Sequence, residues 1–552
     1  MELARVYGPI YKLKIGNKQC VIISSPSLVK EVVGDQDITF ANRSPNIAAL
    51  VFSYGGNDIA FAPYGPEWRM LRKVFVRDML SNSNIDATYT LRINEDKKSI
   101  RDVYGKIGTA INVSEIAFST VINTITSMFW GGTIEGEEGT NLGAEFRAAV
   151  LQLTVILGKP NVSDFFPTLA RFDIQGVERE MKKVLLWIER IFEGVIEQRK
   201  KLGSIKQEVP REFCGKDFMQ FLLEFKEEGT GKSITLAQIK ALLMDIVIGG
   251  TGTTSTMVEW AMTEMMLHPE VMRKSHEELT SVVGVNNTVE EFHIQKLEYL
   301  HAVVKETLRL HPTAPLLLPR CPTQSCNVGG YTIPKGTKVF LNVWAMHRDP
   351  EFWDNPLEFR PERFLGDATK LDYHGNNHYY LPFGVGRRFC VGLPLGERML
   401  MHVLASLLHL FEWKLPNGIK LDSSENFGMV LEKSTPLSAI PTPRLSNLEL
   451  DPKFWDNPLE FRPERFLGDA IKLDYQGNSH HYLPFGAGRR ICAGLALGKR
   501  MLIHVLASLL HGMELDSSEN FGIVLEKSTP LTAIPTPRSS NLELYNITLV
   551  GV

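Results

Sequence analysis

Pro382-Phe383-Gly384-Val385-Gly386-Arg387-Arg388-Phe389-Cys390-Val391-Gly392 places one cysteine among glycines and arginines. An apolar, helix-prone run from Leu393 to Phe411 follows at once. Glycine lets a backbone turn sharply and approach a flat ligand closely. Nearby arginines and a helix N-terminus both favour a thiolate over a thiol. Such a thiolate is a nucleophile or a metal ligand; the plainer reading is a structural cysteine in a Gly-rich turn. Three further constellations carry chemistry. Trp68 and Arg72 are spaced i,i+4 and share a helix face. Glu306 and Arg309 form an i,i+3 pair in an otherwise apolar helix, and Pro361-Glu362-Arg363-Phe364 follows downstream. Asp245-Ile246-Val247-Ile248-Gly249-Gly250-Thr251-Gly252-Thr253-Thr254-Ser255 puts three glycines in the middle of a long apolar helix. Each costs roughly 1 kcal/mol of helix propensity against Ala. That violation is expected either where function needs room or where helices touch closely.

Taken together, these motifs resemble those of the cytochromes P-450, the haem-thiolate monooxygenases, in their plant microsomal form. Phe383, Gly386, Arg388, Cys390 and Gly392 match the family's F-x-x-G-x-R-x-C-x-G loop. The resemblance implies a mainly α fold with small β-sheets, the cytochrome P-450 fold. It implies haem b (iron protoporphyrin IX) with Cys390 on the iron, and a thiolate there favours O–O cleavage. Phe383, Gly386, Arg388 and Gly392 then belong to the haem-binding loop. Trp68 and Arg72 resemble the pair that binds a haem propionate, and Arg320 is a second propionate candidate. Glu306, Arg309 and Arg363 resemble the family's buried Glu–Arg–Arg network, whose role is structural. The distal helix pattern maps the oxygen-orienting threonine to Thr253, beside Thr254. Gly252 stands where the family has an acid that relays protons, and Asp245 lies about two turns away. Slow or peroxide-leaking oxygen activation is the expectation.

By the same resemblance the partners are O2, a small apolar substrate and an NADPH-cytochrome P-450 reductase, which brings electrons from NADPH. Arg69, Lys73 and Arg77 supply basic charge for docking an acidic reductase surface. The implied reaction is hydroxylation of a terpenoid or a phenolic such as a flavonoid. The segments Ile47–Ile59, Leu243–Val247, Ala314–Leu318 and Lys433–Thr435 are the largely apolar candidates for the pocket. One rival is an oxygen-independent haem-thiolate isomerase or dehydratase, motivated by Gly252 and opposed by Thr253. Another is a non-catalytic haem-binding product of a rearranged gene.

The elements that must position these residues are readable in part. Ile10 to Ile23 alternates apolar and polar residues around Gly16-Asn17, a hairpin pattern. Ser25 before Pro26 caps a short helix over Ser27–Val33. Residues 80–230 read as mostly helical, with Arg199–Glu228 a charged, solvated connection. Within them, the apolar stretch Asp164-Phe165-Phe166-Pro167 and Asp173–Gly176 resembles the family's substrate-entrance loop and suits peripheral membrane contact. Thr235 and Gln238 form a capping box for a helix over Leu236–His268, stopped by Pro269. Ala314–Leu318 reads as an apolar strand.

An internal repeat shapes the rest. Asp349–Leu450 recurs as Asp451–Leu544, placing a second cysteine, Cys492, in Pro484-Phe485-Gly486-Ala487-Gly488-Arg489-Arg490-Ile491-Cys492-Ala493-Gly494. Only one set of upstream motifs exists, so one haem pocket is expected. It is assigned to Cys390, with Cys492 the alternative. The expected organisation is a catalytic domain over 1–450, a redundant partial repeat over 451–544 and a tail over 545–552. The net charge of −3 gives no reason to expect nucleic acid. The six cysteines, Cys20, Cys214, Cys321, Cys326, Cys390 and Cys492, show no disulfide spacing. Cys321 and Cys326 lack the second pair that a zinc site needs. No signal peptide or transmembrane run is expected; the family's microsomal anchor and Pro-rich hinge would lie upstream of Met1. Localisation is therefore expected at the cytosolic face of the endoplasmic reticulum by resemblance, or soluble in the cytoplasm.

Overall fold

The computed structural model describes residues 2–130, 137–204, 218–227, 229, 231–284, 287–366, 371–373, 377–444 and 499–501. The chain divides into two units, Met1–Arg444 and Leu445–Val552. The first carries every element discussed below.

The hairpin forms as its alternation predicts: β1 (Ile10–Ile15) pairs antiparallel with β2 (Lys18–Ile23) around Gly16-Asn17. Two short strands, β3 (Asn42–Arg43) and β4 (Arg320–Cys321), join the same sheet, as does β5 (Lys338–Leu341). The spatial order is β1-β2-β5-β4-β3, with β2 and β5 parallel. This sheet fastens the N-terminus to the segment after residue 310. It thereby sets Arg43 and Arg320 side by side, because Arg43 is the register partner of Arg320.

The rest is mainly helical. Helix α1 (Pro66–Lys73) starts on a proline, whose missing N–H costs nothing at that position. Helix α2 (Val113–Trp130) lies against α3 (Leu236–Leu267), the 32-residue helix that crosses the core. The α3 capping box forms in full, with Thr235 Oγ1 accepting from Gln238 N and Gln238 Oε1 from Thr235 N. Helices α4 (Glu298–Leu310) and α5 (Leu393–Leu410) pack against α3. Among the described residues α3 is the one helix long and apolar enough to cross a membrane, but two thirds of its apolar window is buried inside the protein.

Three expectations change. Ala314–Leu318 is a turn, not a strand: Leu317 N–H donates to Ala314 and Leu317 takes a left-handed φ of 50°. Pro315 and the approach to Arg320 force the chain to bend before β4 begins. Arg199–Glu228 is not one solvated connection. Its first residues end a helix running to Ser204, and Phe218–Glu224 is a helix that buries Phe218, Met219 and Leu222. Those apolar residues join the core, which outweighs the charge around them. Ser25 does cap a short helix, Pro26–Lys30, but no side-chain bond closes the cap. Residues 205–217 lie outside the described residues.

Candidate active site

The cysteine loop is built as its glycines require. Gly386 has φ +68°, and a Cβ there would stand 2.8 Å from Asp37 Oδ1. Only glycine gives that turn and that approach together. The Cys390 amide donates to the Phe383 carbonyl at 3.0 Å, closing the loop across its base. Gly392 is the N-cap of α5, and a Cβ on it would lie 3.8 Å from Cys390 Sγ. The Cys390 side chain is accessible to solvent although it lies deep within the protein.

Burial pushes the Cys390 thiol up, while the Gly392 amide, Arg72 and the Leu393 amide pull it down. The stabilising guanidinium thus comes from α1, not from the loop. Arg387 is paired outward with Asp37 at 3.1 Å. Iron at the sulfur would remove the proton outright.

Arg388 is buried and spends its donors on backbone. Its Nε reaches Ala41 O at 2.6 Å, Nη1 reaches Ile59 O at 2.9 Å and Nη2 reaches Ala62 O at 2.6 Å. The guanidinium also stacks 4.4 Å over Trp68. The Trp68 indole N–H donates to that same Ile59 carbonyl at 3.0 Å. Trp68, expected to face a carboxylate, and Arg388 of the cysteine loop together anchor the 59–62 loop, because a buried donor takes the nearest acceptor. Arg72 does share the face with Trp68, 5.5 Å over its ring, and donates to Phe389 O at 3.0 Å. Arg320 donates to Val385 O at 2.6 Å, while its buried Nη1 has no hydrogen-bond partner. That nitrogen lies 3.5 Å from Asp37 Oδ1.

Arg43 escaped the sequence reading. It donates to Ala60 O and Leu318 O, and burial followed by Arg320 and Arg388 holds its guanidinium well below the usual range. Burial likewise brings Arg320 and Arg388 down to about 10. Four guanidiniums, Arg43, Arg72, Arg320 and Arg388, therefore converge inside the protein. Such an excess of buried positive charge suits a ligand with two carboxylates. Nothing in Phe40-Ala41-Asn42-Arg43 marks this arginine out in the sequence.

The middle of α3 has its own accessible strip. Gly249, Gly252 and Thr253 are accessible, whereas Leu243, Met244, Ile246, Val247 and Thr254 are buried. Leu243 and Val247 thus fill the core instead of lining a pocket, and Thr254 faces away from Thr253's side. A side chain at Gly249 or Gly252 would meet nothing within 4 Å. At Gly250 it would stand 2.9 Å from Ile125 Cδ1 on α2. Gly250 thus serves a close helix contact, while Gly249 and Gly252 leave open space beside α3. Thr253 Oγ1 donates back to Gly249 O at 2.5 Å. Asp245 Oδ2 accepts from Ile59 N at 2.6 Å, so Ile59 links α3, Trp68 and Arg388.

Behind the loop, Glu306 and Arg309 are fully buried. Arg309 grips Glu306 with two bonds, 2.7 and 2.8 Å, and Arg363 Nε adds a third at 3.0 Å. Arg309 also donates to the carbonyls of His347, Pro356 and Glu358. His347 extends this network: its Nδ1–H donates to Arg309 O, and its Nε2 accepts from Leu381 N at 2.8 Å, next to the cysteine loop. The sequence reading missed it, since a lone histidine carries no motif. The second loop, with Cys492, lies outside the described residues.

A cysteine loop that starts a helix, a helix face left bare by glycines and four converging buried arginines are the elements a haem-thiolate site would need. The cytochrome P450 family model matches residues 1–440 and 442–540, and the chain belongs to that family, the haem-dependent monooxygenases that draw NADPH-derived electrons through a reductase. A flavonoid 3',5'-hydroxylase of Solanum melongena is 36% identical over 449 residues, covering 81% of this chain and 86% of that protein. A flavonoid 3'-monooxygenase of Petunia hybrida is 37% identical over 454 residues, covering 80% and 87%. A solved zebra fish cytochrome P450 with progesterone superposes with a TM-score of 0.67 at 26% identity, covering 80% of this chain and 98% of that one.

Proposed function

We propose that this chain hydroxylates a flavonoid-like phenolic, with its haem held at Cys390. The observation that carries the reading is Cys390, accessible though deep, with Arg72 acting on its thiol and Arg43, Arg320 and Arg388 converging beside Arg72. Cys390 would hold the iron. Arg72 and Arg320 would hold the two propionates, while Trp68 and Arg388 keep the 59–62 loop against them. Bound haem supplies dioxygen activation, using two electrons delivered from NADPH by a reductase. Thr253 positions a water on the glycine strip, and Glu306, Arg309 and Arg363 hold the cysteine loop at its depth. The relatives named above support the choice of a phenolic substrate.

Arg69, Lys73 and Arg77 lie exposed and four residues apart, one basic face suited to an acidic reductase. Exposed Phe166, Leu169, Phe172 and Ile174 suit peripheral contact with the endoplasmic reticulum surface. The test is the carbon monoxide difference spectrum of the reduced protein, then NADPH-dependent turnover of a flavonoid panel with a plant reductase. A thiolate-type spectrum and a hydroxylated flavonoid are expected. Conversion of a hydroperoxide without oxygen or NADPH would instead support an isomerase or dehydratase.

A further inference from the structure

This inference rests on the haem-thiolate reading above. Asp245, Gly249 and Gly252 stand at i, i+4 and i+7 on α3, so they lie within about 40° of one helix face. Gly249 and Gly252 are accessible on a helix that is otherwise largely buried, while Asp245 is mostly buried. With no side chain at 249 or 252, and nothing within 4 Å of either Cβ position, a groove runs along this face. It runs from the helix position of Asp245, whose carboxyl accepts from the Ile59 amide, to that of Thr253. Seven residues rise about 10 Å, a gap that roughly three hydrogen-bonded waters bridge.

A second acid stands at the head of the groove. Asp58 is fully buried, and both its oxygens lie 3.1 Å from the Phe61 N–H. It adjoins Ile59, whose N–H meets Asp245. Two neighbouring buried carboxyls do not both ionise readily. Burial pushes Asp58 up to about 6. Burial and then Asp58 push Asp245 well above the usual carboxylate range. The other charges acting here are Arg388, which pulls both acids down, and Arg43 beside Asp58.

We propose that Asp245 holds the proton that position 252 cannot, and passes it along the glycine-lined groove to water at Thr253. In this step the Asp245 O–H bond breaks and a groove water gains the proton. The carboxylate left behind keeps its bond from Ile59 and regains a proton from solvent. The overall balance is O2 and R–H plus two electrons and two protons giving R–OH and water, the electrons coming from NADPH through the reductase. The glycine at 252 is then a displaced acid, not a lost one.

Asp245→Asn tests this, because it keeps the size and an acceptor for Ile59 but removes the proton. In infrared spectra of the parent near neutral pH a protonated carboxyl band is expected, and Asp245→Asn should lose it. With reductase and an accepted flavonoid, Asp245→Asn should lower product per NADPH by about tenfold or more, with peroxide rising and a larger solvent isotope effect. Adding Gly252→Asp to that variant should restore coupling, which a merely structural Asp245 would not allow. A missing band, coupling equal to the parent's, or failure of the rescue would each overturn the proposal. If Asp245→Asn does not fold, Gly252→Asp in the parent decides. A change within about twofold supports a relay already served, and a many-fold rise refutes it. A parent making no product at all would sink the monooxygenase reading, while the band still reports whether Asp245 holds the proton.

Discussion

Arg309 shows how a common sequence pair becomes indispensable. On an exposed helix an i,i+3 Glu–Arg pair contributes a few tenths of a kcal/mol. Here both side chains are fully buried, and Arg309 also ties three carbonyls from 347, 356 and 358. Arg309→Ala leaves buried charge and orphaned carbonyls, at roughly 3–5 kcal/mol. That is a large share of a domain's stability. Thermal unfolding and haem absorbance should both show the loss: a lower midpoint and little retained haem. His347 adds a pH dependence at the same spot. Burial, then Arg309 and Arg348, hold its imidazole down at about 3. Unfolded, it titrates near about 6.5. Its contribution is therefore complete above about pH 6.5 and is lost as pH falls toward about 3, at roughly 1.4 kcal/mol per pH unit. Unfolding free energies measured from pH 7 to 4 should fall less steeply in His347→Gln than in the parent.

At the scale of the element, α3 does two jobs with one run of glycines. Gly250 lets α2 approach, with Ile125 Cδ1 where a side chain would stand. Gly249 and Gly252 keep a face bare. Gly250→Val should therefore destabilise by about 1–3 kcal/mol, since Ile125 is itself fully buried and has no room to retreat. Gly249→Ala should stabilise by up to about 1 kcal/mol, from helix propensity alone. Denaturation midpoints of the two variants should move in opposite directions. The ends of α3 were readable from Thr235, Gln238 and Pro269, because capping is a local interaction. The division of labour among its glycines was not, because it depends on which neighbour each one faces.

For the whole molecule, the question is which cysteine loop holds the haem. The Cys390 copy stands in a complete frame. Its strand Phe411–Lys414 pairs with Ser438–Pro443, which also pairs with Ile111–Asn112. The second copy runs from His511 almost directly to Asp516 and lacks the residues that match this strand. Cys390→Ala should abolish the thiolate-type carbon monoxide spectrum, and Cys492→Ala should leave it nearly unchanged. The reverse pattern would assign the haem to the second copy.

The sequence by itself determined the family, the long helix α3 and the Glu306–Arg309–Arg363 triad. Each rests on residues close together in the chain, where spacing, caps and glycines act locally. The hairpin at Ile10–Ile23 was legible for the same reason. Only the tertiary structure decided what meets what. It turned Ala314–Leu318 from an expected strand into a bend, and it spent Trp68 and Arg388 on the Ile59 carbonyl. It brought Arg43 beside Arg320 through the register of two short strands, and it joined His347 to the cysteine loop. It also set Asp58 near Asp245, 187 positions on, through the Ile59 amide. The energetics of buried charge depend on partners distant in sequence, and a linear pattern does not name them.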